Sequence, residues 1–313
     1  MLLAGTAVIV THNSAVEVEA CLDALADMAP QFTPIVVDNA STDDTVERLG
    51  RRRGLRLVAN TENLGFAGAV NQAVETLPAD FILLLNPDAR LLAAVDGLTH
   101  SAARYGLAAG KLVDQKGKAQ KGFTVRRFPT PMALAFELFG INRLWPTNPV
   151  NRRYRCLDRD LDQPGFVDQP AGAFLMVRGD VWRRLGGFDT RFHPVWYEDV
   201  DFCRRAVSAG FQIHYFPTAV AEHSGGHSVG RIPPGCRALY WCVSLLKYGA
   251  KHFPELPYRG ICLAVMVSSV PRMIAGMIQS RNLAPLFAYS KVIWAAGLCL
   301  LTPRSSRPGV GLH

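Results

Sequence analysis

The chain has 313 residues, 49% of them hydrophobic, which is enough apolar material for one large or two modest domains and argues against disorder. Its net charge of +8 is unevenly placed: from Arg237 onward nine Lys or Arg accompany a single acid, Glu255. Residues 104–159 are basic as well, whereas the stretch around Asp38 to Asp44 is acidic, an asymmetry that points to an anionic partner, either phosphate-bearing lipid or nucleic acid.

Seven cysteines form no CxxC pair and are odd in number, which argues against a disulfide framework or a thiolate zinc site and for reduced thiols in the cytosol. The apolar start lacks a preceding basic residue and stops at Thr11-His12-Asn13, so a buried strand is expected there rather than a signal peptide.

Four apolar runs follow one another, each ending in polar residues. Ala7–Val10 leads to Thr11-His12-Asn13, Ile35–Val37 to Asp38-Asn39, Leu55–Ala59 to Asn60, and Phe81–Leu85 to Asn86-Pro87-Asp88. Helical periodicity fills the gaps over Ser14–Met28, from a Ser41 or Thr42 cap to Leu49, and over Gly68–Leu77. This alternation predicts a mostly parallel, Rossmann-like central sheet flanked by helices, with ligands beyond the carboxyl ends of its strands.

From Gly110 to Gln169 the chain is basic, and Pro129, Pro131, Pro146 and Pro149 read as breakers in mobile loops around a strand near Leu112-Val113. Strands are expected at Gln169–Val177 and Ile213–Phe216, and helices at Asp180–Leu185 and Glu198–Ser208. The tail carries the apolar stretches Ala238–Tyr248, Gly260–Ile278 and Leu283–Leu301, interrupted by Pro271-Arg272 and Lys291. Those charges favour helices in a membrane interface over spanning ones, with an ordinary buried or dimerising cap as the alternative.

Several clusters carry chemistry suited to moving a sugar from a nucleotide diphosphate. Asp88, just past an apolar strand, offers the oxygen ligand that Mg²⁺ or Mn²⁺ takes beside phosphate, although a turn aspartate would look the same. Glu198-Asp199-Val200-Asp201 sits between Trp196-Tyr197 and Phe202-Cys203, a costly place for acids without a task. Asp199 is the candidate base and Glu198 the residue orienting acceptor hydroxyls, while Asp201 would brace the site or pair with Arg204 or Arg205. His223 or His227, in His223-Ser224-Gly225-Gly226-His227-Ser228, could complete a metal shell. Asp38 could accept from a pyrimidine N–H, with Thr11 and His12 flanking the nucleoside. Asn63-Leu64-Gly65 offers backbone amides at a helix start.

Taken in order, Val8–Ser14, Val36–Thr45, Asn60–Asn71, Leu83–Ala89, Gly172–Asp189, Tyr197–Arg205 and His223–Ser228 resemble the family 2 glycosyltransferases, in their rhamnosyltransferase-like bacterial branch. The resemblance implies a GT-A fold with a C-terminal helical extension and an inverting hexosyl transfer. It assigns Asp38 to base recognition, Asp88 and His223 to the metal and diphosphate, and Asp199 to proton removal. Thr11, His12, Asn13, Asp38, Asn39, Asn63, Gly65, Asn71, Asn86 and Asp88 form the expected nucleotide-sugar site. Asn86 replaces the first aspartate of the usual Asp-x-Asp and leaves one fewer charge on the metal.

The expected organisation is a catalytic domain over 1–231, nucleotide-binding to about 110 and acceptor-binding over 111–231, then a membrane-associated region over 232–313. The expected cofactor is Mn²⁺ or Mg²⁺, and the expected donor is a nucleotide-diphosphate sugar, dTDP-rhamnose by resemblance. The acceptor would be a glycan or polyprenyl-diphosphate-linked chain of a cell-surface polysaccharide. The enzyme would lie peripherally on the cytoplasmic face of an anionic membrane, with a homodimer open and nucleic acid excluded. A nucleotidyltransferase is disfavoured because no Gly-rich loop follows the first strand, and a scaffold because the full acidic set is present.

Overall fold

The computed structural model describes residues 3–225, 230 and 232–302. Two compact units emerge: Met1–Phe128, Arg155–Thr190 and Glu198–Ser228 make the first, and Pro129–Tyr154, Arg191–Tyr197 and Val229–His313 the second.

The first unit begins with three parallel turns of strand and helix. These are β1 (Gly5–Thr11), α1 (Glu17–Met28), β2 (Phe32–Asn39), α2 (Thr45–Arg51), β3 (Arg56–Asn60), α3 (Gly65–Thr76) and β4 (Phe81–Leu85). After them come β5 (Ala89–Leu91), α4 (Asp96–Tyr105), β6 (Gly106–Val113) and the two-residue β7 (Val125–Arg126). In the second unit lie α5 (Pro131–Leu138), α6 (Ile141–Leu144) and α7 (Pro149–Tyr154). The first unit resumes with β8 (Gly165–Phe166), β9 (Gln169–Pro170), β10 (Phe174–Arg178), α8 (Gly179–Leu185), α9 (Glu198–Ser208) and β11 (Gln212–His223). The tail is α10 (Pro234–His252), α11 (Glu255–Ser280) and α12 (Ala284–Leu301).

The main sheet runs β3-β2-β1-β4-β10-β6-β11-β5, with β8 added on β11. β1 through β4 are parallel, and β10 is antiparallel to both β4 and β6. The chain moves outward from β1 to β3 and then returns to β4 on the other side of β1, so a crevice opens at the carboxyl ends of β1 and β4. Every residue of β4 is buried because both faces are covered. Its Leu83 and Leu85 join Ile9, Leu22 and Phe174 on one side, while Ile82 and Leu84 join Val37, Val70 and Phe202 on the other.

Several expectations shift. The α2 helix starts at Thr45, because Ser41 spends both its amide and its hydroxyl on Asp38 instead of capping. The expected strand Gln169–Val177 breaks between Pro170 and Phe174, where the Ala171 amide turns to the Thr124 carbonyl. The expected Ile213–Phe216 continues to His223, passing Pro217 through a register shift between Tyr215 and Val220. Pro131 and Pro149 open α5 and α7 rather than break structure, and the Thr130 hydroxyl caps the Ala133 amide.

In the second unit α12 packs on both α10 and α11, and α11 packs on α5. The Arg272 guanidinium donates to the Glu137 and Leu138 carbonyls at 3.1 and 2.7 Å, and the Ser244 hydroxyl donates to the Val195 carbonyl at 3.0 Å. The seven cysteines are all free thiols.

Candidate active site

The strand ends expected to hold a nucleotide are stitched to one another. Register places Thr11 opposite Asp38, and the Thr11 hydroxyl donates to Asp38 Oδ1 at 2.8 Å. The Ser41 amide and hydroxyl reach Oδ2 and Oδ1 at 2.8 and 2.5 Å, so the fully buried Asp38 already holds three donors. His12 Nδ1 meets the Asn39 carbonyl at 2.8 Å, and Asn13 Oδ1 accepts from the Thr42 and Asp43 amides. Asn39 Nδ2 donates to the Gly65 carbonyl, Asn39 Oδ1 accepts from Asn60 and the Leu64 amide, and Asn63 Oδ1 accepts from the Gly65 amide. Asn13, Ala40 and Gly65 adopt left-handed backbone at these turns. One rigid corner therefore contains Thr11, His12, Asn13, Asp38, Asn39, Asn63 and Gly65.

Asn71 stands apart from that corner. Its amide is spent on the backbone of Phe188, accepting from the N–H at 2.9 Å and donating to the carbonyl at 2.8 Å. It lines a cavity of about 340 Å³ with Trp182, Arg183 and Gly187.

Asn86 and Asp88 are brought to His223 by the antiparallel pairing of β5 with β11, which sets Ala89 opposite His223. His223 Nε2 lies 3.5 Å from Asp88 Oδ1 and 3.5 Å from the Asn86 side-chain amide. On the other side of the ring, Nδ1 faces Gln120 Oε1 at 3.3 Å, while Gln120 Nε2 donates to the His223 carbonyl at 2.7 Å. The Phe123 ring stacks on His223 with centroids 5.2 Å apart. Burial holds the imidazole below its usual pKa, against the opposite pull of Asp88. A neutral ring oriented through Nδ1 leaves Nε2 beside a carboxylate, a donor set that fits a hard or borderline divalent cation. Among the described residues no group of three His, Cys, Asp or Glu gathers around a common point, and a cation on Asp88 and His223 would have room for diphosphate oxygens. His227 and Ser228 lie outside the described residues.

The acid pair opens α9, where first-turn carboxylates suit the helix dipole. The chain enters it through Trp196 and Tyr197, both left-handed (φ 78° and 73°), a conformation bulky residues hold only when the surroundings impose it. Asp199 is half-buried and accepts the Gly172 amide at 3.0 Å and the Val200 amide at 2.7 Å. Burial raises its pKa, while those two amides and the Arg126 charge pull it back down. Glu198 is buried, its Oε2 meets no donor among the described residues, and burial reinforced by Asp199 raises its pKa well above the carboxylate range. Asp201 is fully buried and pairs with Arg205 at 2.7 Å, one of the two arginines expected for it.

The two halves meet across one dipeptide. Gly172 donates its N–H to Asp199, and Ala173 offers its carbonyl to the Asn86 N–H at 3.1 Å. A Cβ on Gly172 would stand 3.1 Å from Asp199 Cβ, so glycine is what lets the carboxylate approach. Arg126, Phe123, Gln120 and the Gly172-Ala173 hinge were given no role from the sequence. Arg126 lies over Phe123 (5.5 Å to the centroid), and that ring stacks on His223, so a cation stands near Asp199 on a pillar reaching the Asp88 end. Its place opposite Gln169 in the β7–β9 ribbon, three residues before Gly172, follows from pairing that no local pattern announces.

The glycosyl transferase family 2 model matches residues 6–95. An N-acetylglucosaminyl-diphospho-decaprenol L-rhamnosyltransferase of Mycobacterium tuberculosis is 30% identical over 215 residues, which cover 64% of this chain and 68% of that protein. Rhamnosyltransferase WbbL of Escherichia coli is 30% identical over 154 residues, 47% of this chain and 53% of the relative. Among solved structures, the mannosyltransferase PcManGT from Pyrobaculum calidifontis, in complex with GDP-Man and Mn²⁺, superposes with a TM-score of 0.52 at 16% identity, over 96% of this chain and 88% of the other. GalNAc-T7 with UDP, GalNAc and Mn²⁺ gives a TM-score of 0.53 at 14% identity, over 71% of this chain and 44% of the other. With its mixed, mostly parallel GT-A sheet and these relatives, the chain belongs to glycosyl transferase family 2, in the rhamnosyltransferase-like branch, and is a glycosyltransferase.

Proposed function

We propose that the enzyme transfers L-rhamnose, with inversion, from dTDP-rhamnose to a glycan or polyprenyl-diphosphate-linked acceptor in the building of a cell-surface polysaccharide. The observation that carries the reading is the junction at Gly172-Ala173, which joins the Asn86–Asp88–His223 end to Asp199. The names of the mycobacterial and Escherichia coli relatives support the sugar, and the former supports a lipid-diphosphate acceptor.

Thr11, His12, Asn13, Asp38, Asn39, Asn63 and Gly65 form the nucleoside side. Three donors occupy Asp38, and a carboxylate has about four acceptor positions, so one remains for a pyrimidine N–H. Asp88 and His223 would hold Mn²⁺ or Mg²⁺, which when bound neutralises charge on the leaving diphosphate. Asn86 gives that end an amide instead of a second charge. Asp199 takes the proton of the acceptor hydroxyl as its oxygen bonds to the anomeric carbon and the bond to the diphosphate oxygen breaks. A single displacement from the far face inverts that carbon. Burial raises the pKa of Asp199 and makes it a better proton acceptor than an exposed aspartate, while the two backbone amides and Arg126 pull that pKa back down. Glu198, whose pKa burial and Asp199 raise, orients an acceptor hydroxyl. The nucleotide part spans about 1–110, the acceptor part 111–231, and 232–313 keeps the enzyme peripheral on the cytoplasmic face of an anionic membrane.

The test is a thermal-shift panel of dTDP-, UDP- and GDP-sugars with and without Mn²⁺ or Mg²⁺. dTDP-rhamnose with metal should raise Tm most. A larger shift with another nucleotide would replace the donor, and a flat panel would remove the nucleotide-sugar reading.

A further inference from the structure

Where the large apolar side chains stand exposed is uneven. All but Val16, Leu92, Phe166 and Val207 of those exposed among the described residues belong to the second unit. On α11 they are Leu256, Leu263, Val267, Val270, Ile274 and Ile278, spaced by sevens, fours and threes along one face. The opposite face, with Tyr258, Ile261, Val265 and Ser269, is buried in the unit. On α12, Phe287, Trp294, Leu298 and Leu301 repeat the pattern, and exposed Lys291 sits among them. A third group, Met132, Phe139, Leu144 and Trp145, comes from the α5–α6 corner, with Leu144 87% exposed.

Both α11 and α12 are long and apolar enough to cross a membrane. Arg272 speaks against crossing. It lies deep within α11, and its guanidinium closes the last carbonyls of α5 at 2.7 and 3.1 Å, the favourable place for a cation at a helix end. The middle of α11 is thereby fixed to a cluster of short helices that carries exposed Arg143, Arg152 and Arg153, and a transmembrane α11 would draw that cluster into hydrocarbon. The same contact sets Phe139, next after Leu138, beside the middle of α11. Lys291 between Phe287 and Trp294 fits headgroup depth, where lysine and tryptophan both reach the polar boundary. From α10 onward the single acid, Glu255, is paired with Arg259 at 2.8 Å, so Arg281 and Lys291 present uncompensated positive charge.

We propose that α11, α12 and the α5–α6 corner form a two-segment lipid-facing surface that lies along, and not through, an anionic bilayer. The inference rests on the membrane-peripheral reading above and adds the corner, which lies some hundred residues before the tail helices, and the Arg272 contact that holds α11 flat. A surface of this kind keeps the enzyme at the depth of a lipid-linked diphosphate, with basic side chains at the phosphates.

The test is co-sedimentation of the full chain with phosphatidylcholine vesicles, with and without phosphatidylglycerol, for the wild type, F287S/W294S, L144S/W145S and K291E. All four substituted apolar positions are exposed, and retained nucleotide-induced thermal stabilisation reports the fold of unit one. Binding should require phosphatidylglycerol, fall with salt, and drop by about tenfold in each double variant and in K291E. Alkaline carbonate should strip the bound protein from vesicles. Loss in F287S/W294S but not in L144S/W145S would leave a peripheral tail and overturn the two-segment surface. Resistance to carbonate would overturn the flat orientation. A wild type that ignores vesicles and is a dimer, turned monomeric by F287S/W294S, would make the face an interface between copies and remove the membrane reading as well.

Discussion

At the tips of β1 and β2 the fold answers most polar demands from within. Asp38 is sealed from solvent and takes donors from Thr11 and Ser41, and Asn13 and Asn39 bind the neighbouring turns. At the start of α9 the demands are left partly open. Asp199 has two backbone amides, Glu198 Oε2 has no donor among the described residues, and burial pushes both acids upward. A corner whose groups are largely spent on one another is held in one shape, which suits the recess proposed for a nucleoside. An acid pair that is not spent keeps the capacity to hold or accept a substrate proton, at a standing cost to the fold.

The sharpest way to break this contrast is Asp199→Asn. Losing a general base costs about 10²- to 10⁴-fold in turnover, and the single oxygen of asparagine still accepts one of the two backbone amides, those of Gly172 and Val200. We expect kcat to fall by that factor while donor affinity and Tm stay near the wild-type values, as read by steady-state kinetics and nucleotide titration. Near-normal turnover would move the base elsewhere.

Asp38→Ala should show the reverse balance. It strips the acceptor from three donors, and hydrogen bonds to a charged group are worth about 1.5–3 kcal/mol each, with partial recovery by water. A loss of about 3 kcal/mol is expected in urea unfolding, together with weaker nucleotide binding. An unchanged unfolding midpoint would show that the corner is not held by this carboxylate.

Much of this was legible in the sequence because each strand end is written as an apolar run followed by polar residues. The runs before Thr11, Asp38 and Asn86 fell within three residues of the observed strand bounds, and the last matched them. The acids of α9 were legible too, since Glu198–Ser208 is the helix that forms. The continuation of β11 was hidden by Pro217, which a local reading takes as a stop. In the sheet it sits at a register shift, where a missing N–H costs little. Arg126 and Phe123 were hidden for a different reason. They lie around a two-residue strand in a proline-rich stretch, and their meaning comes from a partner ribbon and a histidine far along the chain. Asn71 fell in a matching stretch, yet its amide is a fastener for the Phe188 turn.

The smallest expected effect, and the one that isolates the cost of the open end, is Glu198→Gln. The folded-state pKa of Glu198 is raised, so the folded protein prefers its neutral form, and the unfolded chain ionises at an ordinary carboxylate pKa. Stability from this group is therefore full below that ordinary value and is lost as pH rises through the folded pKa. Glutamine mimics the neutral acid at every pH. The variant should match the wild type in acid and become the more stable protein toward neutral and alkaline pH, by about 2–4 °C in Tm for each kcal/mol of penalty relieved. Turnover should fall at the same time, because an amide oriented by burial alone is a poorer donor to an acceptor hydroxyl than a carboxylic acid. A Tm gain that is equal at all pH values would mean that glutamine packs better and that ionisation carries no cost. A loss at neutral pH would mean that Glu198 is ionised and partnered, and the acid pair would then be as internally spent as the Asp38 corner.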